Sequence, residues 1–150
     1  MLTIGQEAPD FTLQDERGNS VRLADFRGRS AVVVIFYPAD STPGCTKQLC
    51  AARDDYERYE AAGIAVFGVN PGSEESHRRF AEKYNFRTPL LLDTGAKVAR
   101  AYDVLMPIPI LNLVNRTVVG VDRDGKVAFY QRGMPSTDKI LAAMASPAPA

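Results

Sequence analysis

Apolar and polar positions along the chain form two patterns, continuous apolar runs and amphipathic stretches of helical period, as expected of an α/β protein. The apolar runs over 31–37 and 64–70 predict two buried core strands. Between them, a helix is predicted to begin after Thr42 and to run to about Ala62, where Gly63 ends it. Four further elements are predicted downstream: a helix over 73–84, an extended segment over 88–92, a short helix over 97–102 and a closing helix over 136–145.

Turn residues between short alternating stretches predict two β-hairpins. One covers 10–23 around Arg17-Gly18-Asn19, and the other covers 117–131 around Asp124-Gly125. A strand–helix–strand unit followed by a hairpin and a last helix is typical of a thioredoxin-like α/β fold. The expected architecture is therefore a central mixed β-sheet flanked by helices, with an N-terminal β-hairpin.

Composition narrows the possible functions. The 18 basic and 18 acidic residues cancel, so nothing suggests binding to nucleic acid or to an anionic membrane. No apolar run approaches membrane-spanning length, and residues 1–6 lack the pattern of a signal peptide. We therefore expect a cytoplasmic protein with one domain over 1–145 and a disordered Ala/Pro tail over 146–150.

The predicted start of the first long helix contains the strongest chemical signal. Thr42 is a suitable N-cap whose hydroxyl could accept from a free backbone N–H, and Pro43 suits the first helical position. Gly44 and Cys45 are then the second and third helical residues, so the sulfur faces free N–H groups and the positive end of the helix dipole. Because such a place favours the thiolate, Cys45 is predicted to be reactive rather than structural.

Cys50 is the only other cysteine of the chain. On one helix the two cysteines would be separated by about 7.5 Å along the axis, beyond the separation of about 7 Å at which a disulfide can close. Either they never bond, or bonding requires the first turns to unwind; alternatively, Cys50 is a small buried apolar residue. Two cysteines and the single His77 are too few for a structural zinc site, and the Cys spacing departs from C-x-x-C.

These residues resemble the active-site motif of the peroxiredoxins, in which Pro38, Thr42 and Cys45 have counterparts with Pro43-Gly44 between and Thr46 after. Cys50 at this spacing resembles the Q-type subfamily, also called bacterioferritin comigratory proteins. The similarity covers nearly the whole chain, with matching segments at 5–13, 23–28, 53–54, 92–93, 102–104 and 116–119.

The resemblance implies a thiol-dependent peroxidase that reduces hydrogen peroxide and organic hydroperoxides. Cys45 would be the peroxidatic cysteine, which becomes a sulfenic acid, and Cys50 the resolving cysteine, which then forms an intramolecular disulfide. Thr42 would offer its hydroxyl to the sulfur and the peroxide, and Arg116 would lie beside Cys45 after folding. The resemblance also places Pro38, Pro43 and Gly44 at the substrate pocket.

The same resemblance implies a partner but no cofactor. A thioredoxin-like protein reductant would restore both thiols, and no metal, flavin or haem would take part. A monomer is favoured, although a dimer is left open. Two residues depart from the family pattern: Ala39 stands where many relatives carry lysine, and Ala51 stands where glycine is common.

Two other features have competing interpretations. His77 lies beside Arg78 and Arg79 and is predicted to be a solvated surface histidine. The apolar stretch over 106–114 precedes Arg116, and it either packs over the sheet edge or forms an apolar pocket wall or a dimer surface. An apolar pocket wall would favour alkyl hydroperoxides.

Two functions of other classes remain open from the sequence. One is a thiol–disulfide reductase on the same fold, which the cysteine spacing and the Arg116 match argue against. The other is a redox sensor that oxidises once and signals to a partner.

Overall fold

A computed structural model describes residues 1–108 and 110–145 of the chain. Its seven strands form a two-stranded hairpin and a five-stranded sheet with the order β5-β4-β3-β6-β7. The strands are β1 Thr12–Gln14, β2 Ser20–Arg22, β3 Ala31–Phe36, β4 Ile64–Asn70, β5 Leu90–Leu92, β6 Thr117–Val121 and β7 Val127–Arg132. Strands β3, β4 and β5 run parallel, whereas β6 is antiparallel to β3 and to β7, so the sheet is mixed as predicted.

Helices cover both faces of this sheet. They are α1 Pro43–Asp54, α2 Tyr56–Ala61, α3 Glu74–Tyr84, α4 Lys97–Ala101 and α5 Thr137–Ala145, with 3₁₀ turns at Leu23–Phe26 and Thr94–Ala96. Strand β3 is buried throughout, because its alternating side chains enter two different cores. Val34 and Phe36 pack with α4 and the hairpin side, while Val33 and Ile35 pack with the other four helices.

Most predicted elements are confirmed, including both hairpins and the second core strand, but the long helix after Thr42 is wrong in one respect. It is interrupted at Asp55, which ends α1 and precedes α2. The carboxylate of Asp55 accepts a hydrogen bond of 2.6 Å from the Thr137 hydroxyl, at the start of α5. The interruption therefore lies at a contact between Asp55 and a residue distant in sequence, and Tyr59 is buried in the core after it.

The tail over 146–150 lies outside the described residues. Within 1–108 and 110–145, we find no helix with the length and apolarity needed to span a membrane.

Candidate active site

Cys45 lies in the first turn of helix α1, which follows strand β3 after a short loop. Thr42 has the extended backbone of an N-cap (φ −78°, ψ 151°), and Pro43 is the first helical residue, as predicted. Cys45 is the third helical residue, and its side chain is fully buried. Among the described residues no group accepts from the backbone N–H groups of Gly44 and Cys45, so both remain available to a negative charge at this end of the helix.

The Thr42 side chain does not cap the helix, so that part of the prediction is wrong. Its hydroxyl donates to the backbone carbonyl of Ala39 at 3.0 Å and accepts from no helical N–H. The left-handed backbone of Ser41 (φ 63°) folds the loop back so that Thr42 meets Ala39. Because the hydroxyl proton is directed at a carbonyl, the lone pairs of Thr42 Oγ1 are left to accept from another group.

Arg116 lies beside Cys45, where the resemblance places it. Strand pairing brings the two together, since Phe36 at the end of β3 is opposite Thr117 at the start of β6. The Arg116 Nη2 donates to Cys45 Sγ at 3.3 Å, and Nη1 donates to Gln48 Oε1 at 2.8 Å. A rigid guanidinium fork is thus aimed at the sulfur and held by a buried amide from the same helix.

The three pocket residues named from the sequence lie in the loop before α1 and in its first turn, and of these Gly44 contacts the pair. Pro38 is exposed, and its carbonyl accepts from Asn70 Nδ2 at 2.7 Å, which fixes the loop before the helix. Pro43 is exposed at the first turn. Gly44 faces Arg116, and a Cβ on Gly44 would lie only 3.0 Å from Arg116 Nη2. A side chain at position 44 would therefore press on the arginine that contacts the sulfur.

Cys50 lies on the same helix, half-buried against the core, and both cysteines are free thiols. A rise of about 1.5 Å per residue separates the two residues along an intact α1 by about 7.5 Å. A disulfide between them therefore requires α1 to unwind.

Residues 4–130 match the AhpC/TSA family. The chain belongs to that family. Peroxiredoxin Q of Sedum lineare, a chloroplastic protein, is 46% identical over 141 residues, which cover 93% of this chain and 74% of that protein. Other chloroplastic peroxiredoxin Q proteins are longer, and the chain spans 62% or 63% of their length.

Solved structures agree with this assignment. Peroxidoxin BcpB from Mycobacterium tuberculosis superposes with a TM-score of 0.88 at 32% identity, covering 96% of this chain and 97% of that one. A bacterioferritin comigratory protein of Xanthomonas campestris, known for alkyl peroxide reduction, superposes with a TM-score of 0.82 at 28% identity, covering 89% of each chain. The protein is therefore a Q-type peroxiredoxin with the thioredoxin-like fold, and peroxiredoxins are thiol-dependent peroxidases.

The prediction for His77 is wrong, because this peroxiredoxin buries His77 completely. Its Nδ1 lies 2.6 Å from Asp40 Oδ2, and its Nε2 lies 3.1 Å from the carbonyl oxygen of Leu91. The sequence does carry a signal for burial, since His77, Phe80 and Ala81 lie at i, i+3 and i+4 on one face of α3, and all three are buried. The arginines at the next two positions belong to the opposite, solvated face.

Asp40 and Gln48 also belong to the surroundings of the site, and the sequence reading did not single them out. Burial alone would raise the pKa of Asp40, but hydrogen bonds from His77 and Tyr37 outweigh it and hold that pKa below the usual value. Burial, followed by the nearby Asp40 carboxylate, raises the pKa of Tyr37 well above its ordinary value, so Tyr37 stays a hydrogen-bond donor.

The described part of the apolar stretch over 106–114 forms a loop and, apart from Val114, does not pack over the sheet edge. Leu105 and Val114 form an antiparallel bridge at its base, and Val114 is buried. Its apolar side chains beyond the bridge are exposed, with Ile110 98% and Leu111 53% accessible. The prediction of packing over the sheet therefore holds for Val114 and is wrong for the rest of the described loop.

Proposed function

We propose that Cys45 reduces hydrogen peroxide and organic hydroperoxides in a cycle completed by Cys50 and a thioredoxin-like protein. The Cys45 thiolate attacks the terminal peroxide oxygen, the O–O bond breaks, and the product is water or an alcohol plus a sulfenic acid. The Cys50 thiol then displaces water from that sulfenic acid and forms a disulfide. The observation that carries the proposal is the Arg116 guanidinium, 3.3 Å from a sulfur at a helix N-terminus.

The surrounding donors suit the displacement, in which charge leaves sulfur and develops on the departing oxygen. Fixed donors aimed at developing charge are the largest single contribution in many enzymes, and one such donor contributes about 10²–10³ in rate. Ionisation alone contributes less, because complete ionisation of a free thiol of pKa about 8.5 raises the thiolate population only about thirtyfold at neutral pH. Arg116 and the free N–H groups of Gly44 and Cys45 are the donors to which we assign most of the acceleration.

Thr42 is assigned to orient the peroxide. Its hydroxyl proton is committed to Ala39, so its oxygen accepts from the O–H of the incoming hydroperoxide. With this hydrogen bond, the O–H group of the peroxide points at Thr42, and the O–O bond is oriented toward the sulfur. Because the Cys45 side chain is fully buried, access requires local movement of the first turn or of Arg116.

A thioredoxin-like dithiol is proposed as the reductant and the cytoplasm as the location. Both cysteines must return to free thiols in every cycle, and a reducing compartment supplies the necessary dithiol partners. Multiple turnovers with thioredoxin, thioredoxin reductase and NADPH support this cycle. Oxidation that stops after one equivalent favours the redox sensor, and reduction of insulin disulfides without peroxide consumption favours the reductase. Fractionation of cells that express the tagged chain tests the location.

For the exposed residues 106–108 and 110–113 we propose a role in favouring larger peroxides, and we propose that the protein is a monomer. The ratio of kcat/KM for cumene hydroperoxide to that for hydrogen peroxide should fall in Ile110→Ser if the loop contacts the alkyl group. An unchanged ratio removes this role. Light scattering over a range of protein concentrations tests the monomer, and a mass that doubles with concentration would contradict it.

Mass spectrometry after one equivalent of hydrogen peroxide tests the whole cycle. We expect an internal disulfide between Cys45 and Cys50 in the wild type, and a sulfenic acid on Cys45 in Cys50→Ser. Cys45→Ser should consume no peroxide with reductant present. Consumption by Cys45→Ser at the parent rate would refute the proposal.

A further inference from the structure

A buried polar network joins the loop before α1 to helix α3. Its centre is the Asp40 carboxylate, whose side chain is only 4% exposed. Oδ1 accepts from the Tyr37 hydroxyl at 2.6 Å, and Oδ2 accepts from the Ser76 hydroxyl at 2.7 Å. The same Oδ2 lies 2.6 Å from Nδ1 of His77, which is fully buried.

The partners of His77 determine where its protons lie. Nε2 faces the carbonyl oxygen of Leu91, which can only accept, so Nε2 carries a proton. Nδ1 lies 2.6 Å from Asp40 Oδ2, so a short hydrogen bond joins the imidazole to the carboxyl group. His77 and Asp40 are thus a hydrogen-bonded pair of buried polar side chains.

A buried polar pair is costly unless every polar atom has a partner, and here each has one. Such a pair is better suited to fixing one arrangement of the chain than to stabilising it overall, since a well-packed apolar pair of similar volume often gives equal or greater stability. The question is which arrangement it fixes.

The pair fixes the loop over 37–42, which we call the cysteine loop. Asp40 lies in that loop, whereas Ser76 and His77 lie on α3, and Leu91 lies on β5. Asn70 also restrains this loop, because its Nδ2 donates to the carbonyls of both Tyr37 and Pro38.

The backbone of Ser41, the residue after Asp40, explains why the loop must be held in place. Ser41 has left-handed backbone angles (φ 63°), which cost energy in a residue with a side chain and persist only where the surroundings hold them. Its neighbours on either side are Asp40, with the buried network, and Thr42, whose hydroxyl meets Ala39. Releasing Asp40 therefore frees the turn that sets the position of Thr42 and of the first turn of α1.

We propose that Asp40 and His77 are positioning residues for peroxide reduction: the buried hydrogen bond between them holds the cysteine loop in the reactive arrangement and opposes the unwinding that disulfide formation requires. The inference rests on the proposed function, because it assigns these residues to two steps of that cycle. It makes the two steps respond in opposite directions. Loss of the pair slows attack on peroxide, which needs Thr42 and the first turn in place, and speeds the closure of the Cys45–Cys50 disulfide.

The test measures the two steps separately in Asp40→Ala and in the shape-conserving Asp40→Asn. Sulfenic acid formation is followed by quenched-flow mass spectrometry in a Cys50→Ser background, and disulfide formation is followed after a single turnover with Cys50 present. In Asp40→Ala we expect the first rate constant to fall at least about tenfold and the second to rise several-fold, since loss of a group that orients a reactant costs factors of this order. Asp40→Asn should move both rate constants in the same directions by less, because its amide still bonds Tyr37.

The matched control is Asp15→Ala. Asp15 is also a buried carboxylate, and it accepts from the backbone N–H groups of Arg17 and Asn19 at 2.9 Å in the turn of the N-terminal hairpin. It should lower the free energy of unfolding and leave both rate constants unchanged in the folded protein, as measured by urea denaturation and circular dichroism. If the Asp40 variants fold and leave both rate constants unchanged, or slow both equally, the inference is overturned. If the unmodified protein forms no sulfenic acid, the proposed function itself has failed.

Discussion

Gly44→Ala tests the arrangement of Arg116 and Cys45 with a single methyl group. The added Cβ would lie 3.0 Å from Arg116 Nη2 and 3.7 Å from its Cζ. Ordinary carbon contacts lie at about 3.5–4.0 Å, so the guanidinium must retreat by several tenths of an ångström. Nη2 is the atom that donates to Cys45 Sγ, and Nη1 is held by Gln48, so the retreat weakens the bond to the sulfur.

The magnitude follows from what that bond contributes. Removing one donor to a developing charge costs about 10²–10³ in rate, and a displaced donor loses part of that. We therefore expect the rate constant for sulfenic acid formation to fall about tenfold, or about 1.4 kcal/mol of transition-state stabilisation. Stability should not fall, because alanine in a helix is favoured over glycine by up to about 1 kcal/mol. A slower enzyme that unfolds at the same or higher urea concentration is the expected signature.

A double-mutant cycle with Arg116→Ala isolates the cause. Rate constants are measured by quenched flow in the Cys50→Ser background for the single variants and for the pair. Without Arg116, the methyl group at position 44 meets nothing within 4 Å, so Gly44→Ala should then cost nothing further. A tenfold loss that persists in the Arg116→Ala background, or no loss in either background, would refute the assignment of Arg116 as the donor to the sulfur.

Three further predictions concern the helices and the buried carboxylate. Ala51 lies on the exposed side of α1, and Ala51→Gly should weaken that helix by about 0.5–1 kcal/mol. Disulfide formation, measured after a single turnover, should then be up to about fivefold faster, and a slower or unchanged rate would contradict this. Ser73→Ala removes the acceptor for the Ser76 N–H at 3.1 Å and should lower the free energy of unfolding by about 1 kcal/mol in urea; no loss would contradict the cap. Because the pKa of Asp40 lies below its unfolded value of 3.8, its stabilisation is present above that pH and lost as pH falls through the lower folded value. The free energy of unfolding of Asp40→Asn should therefore be lower at neutral pH and should fall less steeply as the pH is lowered. An unchanged dependence of that free energy on pH would contradict this.

Local patterns predicted the parts of the fold that depend on neighbours in sequence. Strand β4 has the predicted bounds, because its apolar run and its flanking turns lie in one short segment. The start of α1 was predictable for the same reason, since Pro43 and Gly44 act within one turn. The interruption at Asp55 was not, because the contact made there is with Thr137, which lies 82 residues further along the chain.

The residues of the site likewise differ in how far the sequence predicts them. The place of Cys45 follows from its own turn, but the contact with Arg116 spans 71 residues and is made by the pairing of β3 with β6. An arginine before a strand has no local pattern that marks it as a partner of a thiol, so only the family resemblance indicated it. The predicted cap by the Thr42 hydroxyl is wrong, because its hydrogen bond to Ala39 forms across the left-handed turn at Ser41.

The two steps of the proposed cycle make opposite demands on α1, and the contacts of Arg116 reconcile them. Attack on peroxide needs the first turn fixed, whereas disulfide formation needs it to unwind. A hydrogen bond to a charged acceptor is roughly twice as strong as one to a neutral acceptor. The bond from Arg116 Nη2 to Cys45 is therefore strongest while the sulfur is a thiolate, and it weakens when oxidation leaves a neutral sulfenic acid. We therefore expect the product of the first step to release the first turn, and the bond to Gln48 and the contacts of the cysteine loop to set the rate of the second step.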